Sequence, residues 1–333
     1  MVINFCTLFD SNYLSRGLAM YHSLEKVCNN FHLYIFAFDD QSASILKSLS
    51  LAKATIVTLN EFEDEKLLAI KPSRNKAEYC WTCTPSTVLY VLQNYNVELC
   101  TYLDADIFFF SDPKVLLDEI GEKSVLITEH RYSKEHDQSK ISGKYCVQFV
   151  SFRKNNLGLE VLKWWRERCI EWCFEEPENG KFGDQKYLDD WVTKFGSVHE
   201  LKNLGGGVAP WNVSQYDFSQ IENKIFCEER LSQIKFELVF YHFHSLKFSH
   251  NNAKIIAQIA GTNYKISKSL VDLVYRTYLD SLGLAIKMIN TKADGKWVPR
   301  QEIKLKLSQK IRLAFTSRNK NLIKNIYHHG ASH

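Results

Sequence analysis

The first 60 residues alternate between short β-rich runs and segments with helical periodicity. The runs are VINFCTLF, FHLYIFAFDD and ATIVTL, and the segments between them are SRGLAMYHSLEKV, with Ser15 as its candidate cap, and QSASILKSLSL. This alternation predicts an α/β fold in which parallel strands are joined by crossover helices. Because the runs are almost continuously apolar, we expect helices to cover both faces of the sheet.

The rest of the chain continues this pattern and then changes. Further strands are predicted for LCTYLDADIFFF, SVLITEHRY, YCVQFVSFRK and FELVFYHFHSLKF, and helices for EYCWTCTPSTVLYVLQNY, GLEVLKWWRERCIEWCFEE and FGDQKYLDDWVTKF. From about residue 251 the pattern becomes helical and increasingly basic. We therefore predict an α/β domain over residues 1–250 and a helical C-terminal extension over residues 251–333.

The composition is that of an ordinary globular protein. Of the 333 residues, 45% are hydrophobic and 24% are charged, and the formal net charge of +4 is too small to indicate a nucleic-acid partner. No apolar run is long enough to predict a transmembrane helix. The segment MVINFCTLFDSNY predicts a strand rather than a signal peptide, because no basic leader precedes its apolar residues. These features predict a cytoplasmic protein.

The nine cysteines are scattered along the chain. Cys80 and Cys83 form a CxxC pair, and Cys169 and Cys173 form a CxxxC pair. Such pairs hold zinc only where two of them meet in space. Free, buried thiols are the interpretation that we favour.

The stretch YLDADIFFFSDP, residues 102–113, carries two acids where a predicted strand ends. In an extended segment Asp104 and Asp106 point to the same side, since side chains alternate along a strand. Two neighbouring carboxylates repel each other unless a proton or a cation lies between them, and oxygen ligands suit Mn²⁺ or Mg²⁺. Ligands of open α/β sheets bind beyond the carboxyl ends of the strands, so this position favours a metal site over two solvated acids.

A second polar group ends the late strand in YHFHSLKF, residues 241–248. His242 and His244 point to one side by the same period of two, and a neutral imidazole could complete the protein ligands of the metal. Lys247 could meet a phosphate as a point charge. Two incidental histidines in an exposed loop are the alternative.

These motifs follow the order found in GT-A-fold glycosyltransferases, and the chain most resembles the retaining family 8 enzymes and their bacterial relatives. The similar segments lie within residues 1 to about 250 and are LFDSNYLSRGLAMYHSL, YLDADI with its DxD pattern, FGDQKYLDDW, LGGGVAPWN and YHFHSLK. The resemblance implies a Rossmann-like nucleotide-diphospho-sugar transferase fold. The chain departs from the family at Ser245 and Phe248, where the family has a glycine and a Lys-Pro-Trp ending, and at Cys146, where the family has an asparagine.

The resemblance also implies roles for individual residues. Asp104 and Asp106 would bind Mn²⁺ or Mg²⁺, with His242 as the third protein ligand and His244 as the competing choice. Asp184 and Gln185 would face the donor sugar as the catalytic residues. Besides Asp104, the donor-binding residues would be Thr7, Phe9, Asp10, Tyr13, Asn212 and Lys247.

Three polar residues, Arg74, Lys76 and Asp184, each have two interpretations. Arg74 and Lys76 precede a predicted helix, where they could recognise a phosphate or sugar of the donor or simply form a solvated surface. Asp184 could face the donor sugar or cap the helix predicted for FGDQKYLDDW, since aspartate is a favoured N-cap.

An enzyme of this kind would move a hexosyl group from a nucleotide sugar, expected to be a UDP-sugar, to a hydroxyl of a glycan or lipid-linked glycan acceptor. The resemblance implies retention of configuration and a place in bacterial surface glycan assembly. An inverting route would require a carboxylate base, for which Asp184 and Asp189 are the candidates. A sugar nucleotidyltransferase and a catalytically inactive scaffold on the same fold are the alternatives. No GxxxxGK[ST] loop is present, which disfavours a P-loop NTPase.

Residues 296–325 form a basic segment in which Glu302 is the only acid among nine lysines and arginines. Its apolar residues recur at a helical step, at Ile303, Leu307, Ile311 and Phe315. A basic amphipathic segment is typical of membrane-surface binding, which would place the protein at the inner face of the membrane. A helix packed on the catalytic domain, with its basic face in water, is the alternative.

Overall fold

A computed structural model describes residues 2–251, 254–259, 264–295, 297–300, 303 and 326–330. Its strands, in chain order, are β1 (Ile3–Phe9), β2 (Phe31–Ala37), β3 (Ala54–Thr58), β4 (Leu99–Leu103), β5 (Ile107–Phe109), β6 (Val125–Glu129), β7 (Tyr145–Arg153), β8 (Val198–Glu200), β9 (Tyr216–Ile221), β10 (Lys224–Glu229), β11 (Lys235–Glu237), β12 (Phe240–His242), β13 (Lys247–Asn251), β14 (Lys254–Gln258) and β15 (Ile326–Gly330).

The α-helices, in the same order, are α1 (Leu14–Val27), α2 (Asp40–Leu49), α3 (Leu59–Phe62), α4 (Glu65–Ile70), α5 (Lys76–Asn94), α6 (Lys114–Leu117), α7 (Ser139–Ser142), α8 (Asn156–Glu171), α9 (Trp191–Lys194), α10 (Lys268–Leu270) and α11 (Arg276–Lys292). A π-helical stretch, Val271–Tyr275, joins α10 to α11.

Seven strands form the central sheet, in the order β3-β2-β1-β4-β7-β6-β8. Neighbouring strands are parallel except at β7, which runs antiparallel to both β4 and β6. The predicted α/β fold with a largely parallel sheet is confirmed. Because β7 is reversed, its first residues lie beside the carboxyl end of β4, where Leu103 pairs with Phe149.

Two hydrophobic cores cover the two faces of this sheet. Along β1, Phe5 and Phe9 belong to the first core, and Cys6 and Leu8 to the second, as the alternation of side chains along a strand requires. Helices α1, α2 and α11 supply the first core, and α5 and α8 supply the second. This double coverage explains why the strands are apolar on both sides.

The C-terminal region contains the predicted helical part and also a small antiparallel sheet, β13-β14-β15. Helix α11 packs against α1 and α2, and the indole Nε1 of Trp297 donates to the backbone oxygen of Ser11 at 3.0 Å. The predicted boundary between residues 250 and 251 falls inside β13, so one strand crosses it. The division into two domains stays a prediction. Most of the basic segment 296–325 lies outside the described residues.

Three local predictions are wrong. Helix α1 begins at Leu14 with Tyr13 as its N-cap, and Ser15 is buried inside the helix instead of capping it. The segment FGDQKYLDDWVTKF, predicted as one helix, forms a 3-10 turn, Gln185–Leu188, followed by the short helix α9, and between them the Asp189 carboxylate accepts from the backbone N–H of Lys144 at 2.7 Å. The late strand divides into β11, β12 and β13, since the chain turns after β12.

Within the described residues, no helix is long and apolar enough to cross a membrane. The nine cysteines are free thiols, and all but Cys80 are buried.

Candidate functional site

The candidate site lies where β4 ends and the chain turns into β5. Asp104 and Asp106 occupy this turn, which is closed by a hydrogen bond from the Ile107 N–H to the Asp104 carbonyl at 3.3 Å. The two acids therefore lie in a turn and not in the extended segment that was predicted. Strand β5 pairs antiparallel with β12, and this pairing sets Ile107 opposite His242. The imidazole is thereby brought to both carboxylates across more than 130 residues of sequence.

The imidazole of His242 contacts both acids of the turn. Its Nε2 lies 3.1 Å from Asp106 Oδ1 and 3.8 Å from Asp104 Oδ2. The backbone adds a further link, since the N–H of Phe243 donates to the Asp106 carbonyl at 2.9 Å. His242 is buried, with 5% of its surface exposed. The carboxylates are thus held against one nitrogen atom at the edge of the sheet.

Strand β7 orients this histidine from behind. The Gln148 side chain lies 2.7 Å from His242 Nδ1 through its Oε1, so Nδ1 donates and Nε2 faces the carboxylates. The N–H of Asp104 donates to the Gln148 carbonyl at 3.1 Å, which fixes the turn to the same strand. Cys146 lies two residues earlier on β7 and therefore on the same face. Ligand atoms of Asp104, Cys146 and His242 all lie within 4.8 Å of one another.

Burial and mutual charge shift the acidity of these groups. Burial would raise the pKa of Asp106, but the His242 charge and the hydrogen bond from His242 lower it to about 2. Burial raises the pKa of Asp104 to about 6, with the His242 charge opposing and the Asp106 charge adding. Burial disfavours the charged imidazole, yet the Asp106 carboxylate raises the pKa of His242 well above its usual value. The cluster therefore holds a positive charge next to its carboxylates.

A divalent cation fits the same place. Two carboxylates and an imidazole with a fixed Nε2 are a donor set that suits Mn²⁺, Mg²⁺ or Zn²⁺, and such an ion would replace the proton that His242 otherwise carries. Asp104, Asp106 and His242 are the residues that would hold it. His244 is exposed beyond the end of β12, and its ring contacts are with Trp211 at 5.4 Å and His242 at 5.8 Å between ring centroids. Of the two histidines, His242 is the one in contact with the acids.

Asp184 is a buried residue whose carboxyl lies close to the site. It is 5% exposed, and its backbone oxygen accepts a hydrogen bond from Trp165 Nε1 at 2.9 Å. Burial raises the pKa of Asp184 to about 7, and the charge of Asp104 adds to that rise, while the Thr84 hydroxyl opposes it. Its side chain makes no capping hydrogen bond to the turn that it precedes. The structure thus brings Asp184 near the turn that carries Asp104.

The neighbours of Asp184 are engaged elsewhere. Gln185 Nε2 donates to the Ser142 carbonyl at the end of α7, at 2.7 Å. Asp189, the other candidate base, accepts from the Lys144 N–H at 2.7 Å and pairs with Lys186 Nζ at 2.8 Å. Both side chains hold the segment that carries Asp184 in place.

The loop after β1 contains most of the predicted donor residues. Thr7 is fully buried, and its hydroxyl has no partner among the residues that the structure describes. Phe9 belongs to the first core, with its ring against Gly17. The Asp10 carboxylate accepts from both the backbone N–H and the Nδ2 of Asn12, at 2.9 and 2.7 Å. The Tyr13 ring is 40% exposed, so it is open to a planar ligand.

Arg16 was not singled out from the sequence, yet it joins this loop to the late histidine segment. Its guanidinium lies 4.6 Å from the Tyr13 ring centroid and 4.7 Å from that of Phe248, and its Nη2 donates to the Leu246 carbonyl at 3.0 Å. Lys247, between these two contacts, is exposed at the start of β13. Tyr13 and Lys247 are therefore held on one side of the site.

The start of α5 also approaches the end of β1. Burial raises the pKa of Cys80 to about 12, and the charges of Asp10 and Lys76 act on it in opposite directions, so both lie near this thiol. Lys76 is exposed at the first position of α5. Arg74 is placed differently, because its Nη2 donates to the Ile170 carbonyl at 3.2 Å and its guanidinium lies 3.9 Å from the Phe174 ring centroid. Arg74 thus packs against the end of α8.

Asn212 is fully buried and saturated by backbone groups. Its Nδ2 donates to the carbonyls of His130 and Gly207, both at 2.9 Å, and its Oδ1 accepts from the Ala209 N–H at 2.9 Å. These bonds shape the glycine-rich loop, whose Val208 bridges to Tyr241 beside His242. Asn212 therefore acts on the site through the loop that it holds.

Cys146 and Gln148 are the site residues that sequence reasoning did not assign. The alternation in YCVQF puts them on one face of a strand, but the sequence does not say that this face meets His242.

The comparison with curated proteins shows the family. The chain is 31% identical over 300 residues to YfnF of Bacillus subtilis (strain 168), covering 87% of this chain and 95% of YfnF. The chain belongs to the YfnF family. A second relative, YfnD of the same organism, is 32% identical over 247 residues, covering 72% of this chain and 76% of YfnD. Both relatives are uncharacterised, and no family model matches the chain.

The fold of this YfnF-family chain is similar to that of the galactosyltransferase LgtC, which was solved with donor and acceptor sugar analogues. The TM-score is 0.51 at 10% identity, and the match covers 85% of this chain and 96% of LgtC. The predicted GT-A fold is thereby confirmed.

Proposed function

We propose that this YfnF-family chain is a metal-dependent glycosyltransferase that moves a hexosyl group from a UDP-sugar to an acceptor hydroxyl, with retention of configuration. The observation that carries the proposal is the convergence of Asp104, Asp106 and the oriented Nε2 of His242 at the carboxyl edge of a GT-A sheet. Bound there, a divalent ion would neutralise the diphosphate of the donor and stabilise it as a leaving group.

The loops around this cluster supply candidate contacts for the rest of the donor. Tyr13 offers an exposed ring for the base, and Thr7 a buried hydroxyl without a partner among the described residues. Lys247 offers a point charge for the diphosphate, and Asp10 after β1 and Lys76 at the start of α5 both lie near Cys80. Phe9 and Asn212 support these contacts from within the fold.

Asp184 is the residue that we place beside the reacting sugar. Its buried carboxyl, near Asp104, would stabilise the positive charge that develops on the sugar in the transition state. Asp189 is tied to Lys186, which argues against a free base there for an inverting route. Gln185 positions this segment through its bond to Ser142.

The wider setting is also a proposal. We infer an acceptor that is a glycan or a lipid-linked glycan, a role in bacterial surface glycan assembly and a cytoplasmic location. The basic segment 296–325 would then attach the enzyme to the inner face of the membrane.

Calorimetric titration of UDP and a panel of UDP-sugars tests the proposal, with Mn²⁺ and with EDTA. We expect one UDP-sugar to bind only with metal, and Asp106→Ala to weaken that binding by at least about 100-fold. Asp118→Ala is the control, because Asp118 is an exposed acid paired with Lys114 at 2.6 Å. A preference for nucleoside triphosphates with release of pyrophosphate would indicate a nucleotidyltransferase instead. Binding of no nucleotide under any condition would favour an inactive scaffold.

A further inference from the structure

We propose that Cys146 is a ligand of the same metal ion, and that the site consequently favours a thiophilic ion such as Zn²⁺ more strongly than a site of oxygen and nitrogen donors would. This inference rests on the proposed metal-dependent function and names the ion that the site selects.

The placement of Cys146 carries the proposal. It is the second residue of β7, and the reversal of this strand puts its first residues beside the end of β4, where Asp104 follows. The Cys146 sulfur, an oxygen of Asp104 and a nitrogen of His242 all lie within 4.8 Å of one another. The thiol is therefore close to both a carboxylate and the imidazole of the candidate metal site.

The distances suit an ion after a small adjustment. At zinc–ligand bond lengths of about 2.0 to 2.3 Å, neighbouring ligand atoms of a tetrahedral site lie about 3.5 Å apart. The three ligand atoms therefore need to move inward by about 1 Å at most, which is within reach of side-chain rotation. Asp106 Oδ1 lies 3.1 Å from His242 Nε2, and a shift of this carboxylate towards the other three ligand atoms would complete a set of one sulfur, one nitrogen and two oxygens.

The donor set bears on which ion is held. Oxygen ligands alone suit Mg²⁺ and Mn²⁺, whereas a thiolate strengthens binding of Zn²⁺ and Co²⁺ far more than that of the harder ions. The S–H bond of the thiol breaks as the metal–thiolate bond forms, its electron pair stays on sulfur, and the proton goes to solvent.

The ordinary alternative is a buried thiol that acts as a small hydrophobic side chain. Another buried cysteine of this chain shows what that looks like, since Cys227 lies among aliphatic and aromatic residues of the first core. Cys146 instead faces an imidazole and a carboxylate, in a small cluster with Ala209 and Trp211. Its surroundings are those of a ligand.

Cobalt spectroscopy tests the proposal on the purified full chain. Titration of the wild type with Co²⁺ alone is expected to give the near-ultraviolet absorption band of a thiolate bound to cobalt, and Cys146→Ser and Cys146→Asn are expected to lack it. Cys227→Ala, which removes a buried thiol outside the site, should keep the band. In competition titrations, the ratio of Zn²⁺ to Mn²⁺ affinity should fall by at least about 10-fold in Cys146→Asn.

Each outcome separates this inference from the proposed function. If Co²⁺ binds the wild type without the thiolate band, or the Zn²⁺ to Mn²⁺ ratio is unchanged in Cys146→Asn, the thiol is not a ligand. UDP-sugar binding that survives with metal would then leave the glycosyltransferase proposal intact. A thiolate band in the wild type without any UDP-sugar binding would support Cys146 as a metal ligand and contradict the glycosyltransferase proposal. If no divalent ion binds the wild type, both proposals fail. The wild-type spectrum decides even if a variant does not fold.

Discussion

Replacing Gln148 by methionine should weaken metal binding without weakening the fold. Methionine has a similar length but cannot accept the hydrogen bond from His242 Nδ1, whose present partner is Gln148 Oε1 at 2.7 Å. Partners of this kind fix the orientation of a ligating histidine, and their loss typically costs about 10- to 100-fold in metal affinity. At about 1.4 kcal/mol for each factor of ten, that is about 1.4 to 2.8 kcal/mol of binding free energy.

Two opposing contributions determine how Gln148→Met changes the stability of the metal-free protein. The substitution leaves the buried Nδ1 donor of His242 unpaired, which costs about 1 to 3 kcal/mol. It also removes Gln148 Nε2, a buried donor that has no partner among the residues described. Leaving such a donor unpaired costs a similar amount, so its removal offsets the first penalty. We therefore expect the free energy of unfolding to change by no more than about 1 kcal/mol.

Two measurements check this pair of expectations: calorimetric titration with Mn²⁺ and Zn²⁺, and urea unfolding in EDTA. Gln215→Met is the control, because the part-buried Gln215 amide donates to the Arg131 carbonyl at 2.8 Å and makes no bond to His242. Metal affinity of Gln148→Met within about threefold of the wild type would refute the positioning role. The positioning role would also be refuted if the loss of metal-binding free energy were matched by an equal loss of the free energy of unfolding.

Three further changes should act on stability. Burial would raise the pKa of Glu200, but hydrogen bonds, first of all from Lys144, lower it to about 2. The stability that Glu200 contributes is therefore present above pH 4.5 and is lost as the pH falls towards 2. In Glu200→Gln, the free energy of unfolding should consequently fall less steeply at acid pH than in the wild type. Gly207→Ala should cost at least about 1 kcal/mol in urea unfolding, since Gly207 has φ +89° and an added Cβ would lie 2.8 Å from Thr128 Cγ2. Asn212→Ala should cost about 2 to 4 kcal/mol in the same assay, because three buried backbone groups lose their partner.

The sequence was sufficient to predict the α/β sheet and the acids at its edge, because both follow from local patterns. Apolar strands and the helical segments between them can be recognised within windows of about 15 residues. The position of Asp104 and Asp106 at the edge of the sheet follows from where the fourth strand ends. The choice of His242 over His244 needed the structure. It depends on the pairing of β5 with β12, which no local pattern encodes.

The same limit explains why the sequence did not predict the hydrogen bonds that several of the predicted site residues make within the protein. Gln185, Asn212 and Arg74 each donate to backbone carbonyls of distant segments. A sequence identifies such side chains as polar, but the partner that satisfies them is fixed only when the segments pack. Cys146 is the converse case, since a residue noted as a departure from a family pattern lies in the centre of the site.

The reversed strand β7 has a consequence for how a site on this fold can change. In a sheet of parallel strands, residues reach the carboxyl edge from loops, and changing them usually alters the loop as well. Residues 146 and 148 reach that edge from within β7, which pairs with β6 at Cys146, and the Gln148 carbonyl accepts a hydrogen bond from the Asp104 N–H. Their side chains can be exchanged while the backbone stays as it is. The metal preference of a lineage could therefore shift by single substitutions, with the surfaces that recognise the sugars left untouched.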